Sequence, residues 1–312
     1  MAPEERNIMN DESIDRRALL LIPLPLLIAL VLILSVPAEV DDPFVKAAPD
    51  MAEIRARNAD ELERRFEDLG YTWPPESGVP PISVQSFPAD MPDLDTEQRR
   101  ELFFRVVLPL ALAENQRTLE LQHQVRELHE TLLRENRQLT DEESDWLMPI
   151  LERYRITGDP NEPAQRERLL RRLDVIPVSL TLAQAANESG WGTSRFTREA
   201  NNIFGEWTWD AGTGLVPERR PEGATHFVRS FPSLAASVSS YVRNLNTHPA
   251  YQPLRAIRRD MRQQGQVPTG IQLAAGLERY SERGQAYVRE IRSMIRQNRL
   301  EQLPEDLELE EP

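Results

Sequence analysis

Residues 177–209 read PVSLTLAQAANESGWGTSRFTREANNIFGEWTW, and the fold turns on how this stretch is parsed. Pro177 suits a first helical turn, where its missing N–H would have had no partner anyway. Leu180, Ala183, Gln184 and Asn187 then fall on neighbouring positions of one helical face, and Gly190 is the residue type that closes a helix in the left-handed conformation. The stretch predicts a helix that ends at Gly190 with Glu188 in its last turn. A carboxylate there meets the negative end of the helix dipole and lies next to apolar Trp191, and both effects favour its protonated form. A glutamic acid that keeps its proton at neutral pH is what a glycosidase needs to protonate a leaving-group oxygen. The plain alternative is a surface glutamate near a helix end.

The run AQAANESGWGTSRF followed by ANNIFGEW resembles the signature of the glucosaminidase domain, glycoside hydrolase family 73, and is most similar to its Bax-type branch. Residues 99–116, 237–255 and 277–295 also look like Bax-type segments, so the resemblance runs roughly from 97 to 300. It implies a mainly α fold: a lysozyme-like helical domain with a small β-hairpin lobe near 208–228. It also implies hydrolysis of the sugar backbone of peptidoglycan, with Glu188 as the catalytic acid. Asn201, Asn202, Phe204 and Gly205 resemble the family's N-N-x-F-G element beside the acid, whose amides could hold N-acetyl groups; the alternative is a turn that buries Phe204. Trp191, Trp207 and Trp209 are candidates for a sugar platform, against the usual role of tryptophan in a core. Tyr280 looks equivalent to a family tyrosine that faces the acid, whereas Tyr287, seven residues on, is read as packing.

The second carboxylate stays open. The resemblance places it in the lobe without a tight motif, and Glu206, Asp210, Glu218 and Glu222 are the candidates. Glu222 and Glu218 come first, because they occupy a turn punctuated by Pro and Gly. The expected reaction is cleavage of the β-1,4 bond after N-acetylglucosamine. A lytic transglycosylase and a non-catalytic wall-binding scaffold are the alternatives.

Outward from this core, residues 18–36 (ALLLIPLPLLIALVLILSV) form an uncharged run about as long as the roughly 20 residues a helix needs to cross a bilayer. Arg16 and Arg17 precede it and Glu39, Asp41 and Asp42 follow, which by the positive-inside bias places residues 1–17 in the cytoplasm and the rest in the periplasm. A cleaved signal peptide is the rival reading. Residues 37–95 include a proline-dense stretch and read as a stiff periplasmic linker. Residues 96–165 read as a helical extension, either a helical pair or one long helix broken near Pro109, then a shorter helix opened by Thr140. Residues 166–302 form the catalytic domain, and 303–312 a solvated acidic tail.

The 312 residues carry a net charge of -14, which repels phosphate backbones and argues against nucleic acid as a partner. The expected partners are peptidoglycan glycan strands and the inner membrane. Without cysteine there is no disulfide or thiolate chemistry. The four histidines show no metal-ligand spacing, and no phosphate loop or dinucleotide fingerprint occurs. No metal, cofactor or nucleotide is expected.

Overall fold

A computed structural model describes residues 49–76, 78–216, 227–304 and 307–311. The expected membrane span at 18–36 lies outside them; among the described residues no helix is long and apolar enough to cross a membrane. The chain runs β1 (Ala52–Ile54), α1 (Ala59–Asp68), β2 (Ile82–Val84), α2 (Thr96–Glu135), α3 (Asp141–Arg153), α4 (Pro163–Arg172), α5 (Val178–Ser189), α6 (Arg195–Ala200), β3 (Trp207–Thr208), β4 (Gly214–Leu215), β5 (Phe227–Arg229), α7 (Leu234–Thr247), α8 (Gln252–Gln263), α9 (Gly270–Leu273) and α10 (Gln285–Gln297). It is mainly helical, as expected.

The organising element is α2, a single 40-residue helix capped by Asp95, whose carboxylate accepts from the Glu97 and Gln98 N–H groups. Pro109 sits inside it and does not divide it. Proline removes one backbone hydrogen bond, but the flanking Val106 to Leu112 are buried on all sides, so packing holds the helix through the gap. The first half of α2 joins the main core with α5, α7 and α10. The second half carries Leu121 and Val125 into a separate cluster with Leu147, Ile150, Leu151 and Leu169 of α3 and α4. Thr140 and Glu143 cap each other's backbone at the start of α3, the reciprocal arrangement that fixes a helix start.

Two expectations are corrected. The described part of the proline-rich stretch is not a spacer. β1 and β2 pair in parallel, α1 buries Ala59, Leu62 and Phe66 at helical spacing, and Val79, Ile82, Val84, Phe87 and Met91 enter the main core. Proline forbids helix but not burial, and the extended track lies along α2, where Trp73 stacks on Phe104 and Phe87 on Phe103. Residues 307–311 are not a free acidic tail either. Leu309 bridges to Val79, with backbone bonds from Val79 N to Glu308 O and from Glu310 N to Val79 O. Leu307 and Leu309 pack on the core while Glu308, Glu310 and Glu311 stay outside.

The expected β-hairpin lobe is a three-stranded antiparallel sheet in the order β3-β5-β4, with Trp207 opposite Val228 and Gly214 opposite Arg229.

Candidate active site

The motif after α5 is a chain reversal made by three consecutive left-handed residues: Gly190 at φ 57°, Trp191 at φ 61° and Gly192 at φ 77°. Glycine adopts this region freely; a side chain at 192 would also press on the Phe87 ring, 3.1 Å from an ideal Cβ. Trp191 tolerates it because its ring is gripped edge-on by Phe103 and Phe104 of α2, at centroid distances of 5.8 and 5.3 Å. Buried Ser189 staples the turn, donating to the Ala185 carbonyl at 2.7 Å and accepting from the Gly192 N–H at 2.9 Å. The S-G-W-G part of the motif therefore fixes where the preceding residue points.

That residue is Glu188, half-buried in the last turn of α5. Its Oε1 accepts from the Tyr287 hydroxyl at 2.8 Å and from Asn187 Nδ2 at 3.1 Å. No hydrogen bond reaches Oε2 from the described residues. Burial raises its pKa above the usual glutamate range; the two donors and Arg283 pull it back, and Glu290 pushes it up again. Arg283 is itself paired with Glu290 at 2.5 Å and lies over the Tyr287 ring, so its charge is partly spent.

A directed chain of hydrogen bonds stands behind Tyr287. The Tyr241 hydroxyl donates to Gln184 Oε1 at 2.7 Å, Gln184 Nε2 donates to the Tyr287 hydroxyl at 2.8 Å, and Tyr287 donates to Glu188. Gln184 is fully buried one turn before Glu188, and its amide sets the order of donors. Aromatic stacking locks the chain: Phe204 on Tyr241 at 3.9 Å, and Tyr280 on Tyr287 at 5.3 Å. Burial pushes the Tyr251 phenol beside this cluster up to about 12 and keeps the Tyr287 phenol protonated far beyond that.

The structure redistributes the roles expected from sequence. Tyr287, not Tyr280, touches Glu188; Tyr280 lies before α10, and its hydroxyl donates to the Phe204 carbonyl at 3.3 Å. Trp191 packs into the α2 aromatic cluster and is only partly buried there. Asn202 is almost fully buried, donating to the Glu206 and Arg229 carbonyls and accepting from the Glu206 N–H, and so roots the lobe. Asn201 closes α6 at φ 51° and donates to the Phe231 carbonyl. Phe204 is the buried plate under Tyr241. Of the expected substrate contacts, Trp207 is an exposed ring on β3, 58% accessible, and Trp209 beside it is 72% accessible.

Among the carboxylate candidates, Glu218 and Glu222 lie outside the described residues. Asp210 caps the turn at Ala211–Thr213 by accepting from the Gly212 N–H. Glu206 is held by Ser240 at 2.9 Å and Arg229 at 3.4 Å through Oε2, while its buried Oε1 has no hydrogen-bond partner among the described residues. Burial raises its pKa, opposed by Ser240 and Arg229.

The family model named Glucosaminidase, described as mannosyl-glycoprotein endo-beta-N-acetylglucosaminidase, matches residues 164–300. Protein bax of Escherichia coli K12 is 32% identical over 202 residues, which cover 64% of this chain and 70% of that protein. The chain belongs to the glucosaminidase family. A C-terminally truncated glycoside hydrolase domain from Salmonella typhimurium FlgJ is 25% identical, over 40% of this chain and 85% of that one, at a TM-score of 0.29. The matched residues of this family member contain Glu188, its hydrogen-bonded tyrosine and the whole described lobe. The chain of Tyr241, Gln184 and Tyr287 was missed from sequence. Its one readable signal was Gln184, four residues before Glu188 on the same helical face.

Proposed function

We propose that this glucosaminidase-family protein is a peptidoglycan hydrolase with a lysozyme-like catalytic domain, cleaving the β-1,4 bond after N-acetylglucosamine with Glu188 as general acid. The observation that carries the reading is the state of the Glu188 carboxyl. Burial favours the proton, two neutral donors fix Oε1, and Oε2 takes no bond from the described residues. The proton then sits on Oε2, where it can pass to a glycosidic oxygen as the C–O bond breaks. Because Tyr287 donates to Oε1 throughout, it also steadies the carboxylate left after transfer. Water completes the reaction at the anomeric carbon, assisted by a lobe carboxylate or by the substrate's own acetamido group.

Trp207 and Trp209 offer apolar faces on which sugar rings could lie. The expected anchor at 18–36 would hold the enzyme on the periplasmic side of the inner membrane. The test is mass spectrometry of fragments released from purified sacculi by the full chain. Reducing N-acetylglucosamine ends that vanish in Glu188→Gln uphold the proposal. Anhydro-muramic ends would make it a lytic transglycosylase, and no fragments at all would leave a wall-binding scaffold.

A further inference from the structure

A groove among the described residues lies away from Glu188, which is not among its lining residues. It measures about 590 Å³ and runs between α2, α4 and α8, lined by eight guanidinium groups against one carboxylate, Asp174. In a protein of net charge -14 this is a local reversal of sign. Asp174 does not balance it, because its oxygens already take Arg258 at 3.2 Å, Arg262 at 2.6 Å and the Val175 N–H. Glu167 and Asp260 approach only Arg171 and Arg259, in contacts whose side chains are about half exposed, where screening by water leaves little.

The groove is built, not incidental. Arg258 is 1% exposed; its Nε pairs with Asp174 and its Nη1 donates to the Asp174 and Val175 carbonyls, while Nη2 is buried without a hydrogen-bond partner among the described residues, a donor whose burial is costly unless something completes it. Arg255 is pushed down to about 10 by burial and by the charges of Arg172 and Arg258. Arg172 is lowered in the same way by burial, then by Arg168 and Arg155. The guanidiniums come from three elements: Arg126 from α2, Arg168, Arg171 and Arg172 from α4, and the remainder from α8.

Asp174 shows how this protein grips a planar carboxylate, from one edge by two adjacent arginines of a single helix. Cations converging from three helices instead suit a group whose oxygens accept in several directions, and guanidinium forks pair well with tetrahedral oxyanions. We infer that this groove is a binding site for clustered phosphate groups, separate from the Glu188 site. Asp174 precedes α5 and Glu188 stands in its last turn, with about 15 Å of helix between Val178 and Glu188 at 1.5 Å per residue, and no lining residue of the groove touches Glu188 by a hydrogen bond.

The probe is sodium pyrophosphate, titrated calorimetrically into the purified full chain, with citrate at matched ionic strength as the carboxylate control. The comparison variant is Arg126→Gln/Arg168→Gln/Arg259→Gln, which changes exposed side chains and leaves the Asp174 pairs intact. Saturable binding of pyrophosphate, weakened at least tenfold in the triple variant and at least tenfold tighter than citrate, upholds the site. A flat titration, equal binding by the triple variant, or citrate bound as tightly overturns it. Vesicles of phosphatidylcholine with and without phosphatidic acid identify the source. Attachment that depends on phosphatidic acid, falls in the triple variant and is released by pyrophosphate assigns a lipid headgroup; pyrophosphate binding without it assigns a soluble phosphate compound.

Discussion

Glu188 and Glu206 are both half-buried glutamates whose pKa is raised by burial, yet the protein surrounds them differently. Around Glu188 the direct donors are neutral, Tyr287 and Asn187, and both go to one oxygen. Around Glu206 an arginine and a serine share Oε2, and Oε1 is sealed in the interior. Burial alone therefore does not single out an acid catalyst. The proposed acid role rests instead on the neutral contacts to one oxygen and on a second oxygen that takes no bond from the described residues, because a proton must be both held and delivered.

The largest effect that tests this contrast is Glu188→Gln, expected to lower the rate of fragment release by about 10²- to 10⁴-fold, while Glu206→Gln costs less than about tenfold. Equal losses in the two variants would erase the distinction and point to a second working carboxylate at 206. Next comes Tyr287→Phe, which deletes one donor to Oε1 and should reduce kcat about tenfold or more, since a hydrogen bond to a charged group is worth roughly 1.5 to 3 kcal/mol and each tenfold in rate is about 1.4 kcal/mol. That bond favours the carboxylate, so its loss raises the Glu188 pKa further. The alkaline limb of the pH–rate profile, where the acid loses its proton, should move to higher pH. Tyr280→Phe loses only the bond to the Phe204 carbonyl and should leave the limb in place. A shift with Tyr280→Phe and none with Tyr287→Phe would restore the role that sequence assigned.

The contrast also marks what the sequence made legible. The helix end at Gly190 and the place of Glu188 were readable because both follow from local rules: helical spacing and a residue type that closes helices. The lobe near 208–228 came through the family resemblance. Tyr287 was not separable from Tyr280 by spacing, since which phenol reaches the acid depends on where α10 begins, and Gly284 at φ 52° sets that. The proline-dense stretch looked like a spacer because proline's local effect is clear. Its burial is tertiary: Trp73 and Phe87 find Phe104 and Phe103 only once α2 is in place. Asn202 resembled a ligand-binding residue because an amide that roots a loop and one that binds a sugar are the same residue type.

The smallest effect concerns stability, and its sign differs from what deleting a buried hydrogen-bonded group usually gives. Folding raises the Glu188 pKa, so the protonated form is favoured in the native state. The group's favourable contribution is complete below the usual glutamate range and is lost as pH rises through the raised value. Glutamine is fixed in a neutral form resembling the protonated acid, and it escapes that loss. Thermal unfolding of Glu188→Gln should therefore occur above wild type at pH 7 to 8, with the gap closing as the pH approaches 4. For Glu206→Gln the gap at neutral pH should be smaller or reversed, because Arg229 and Ser240 lose the anionic oxygen that they hold at present. A wild-type melting temperature above that of Glu188→Gln throughout this range would mean that the Glu188 carboxyl is comfortably ionised in the fold, and the acid role would fall with it.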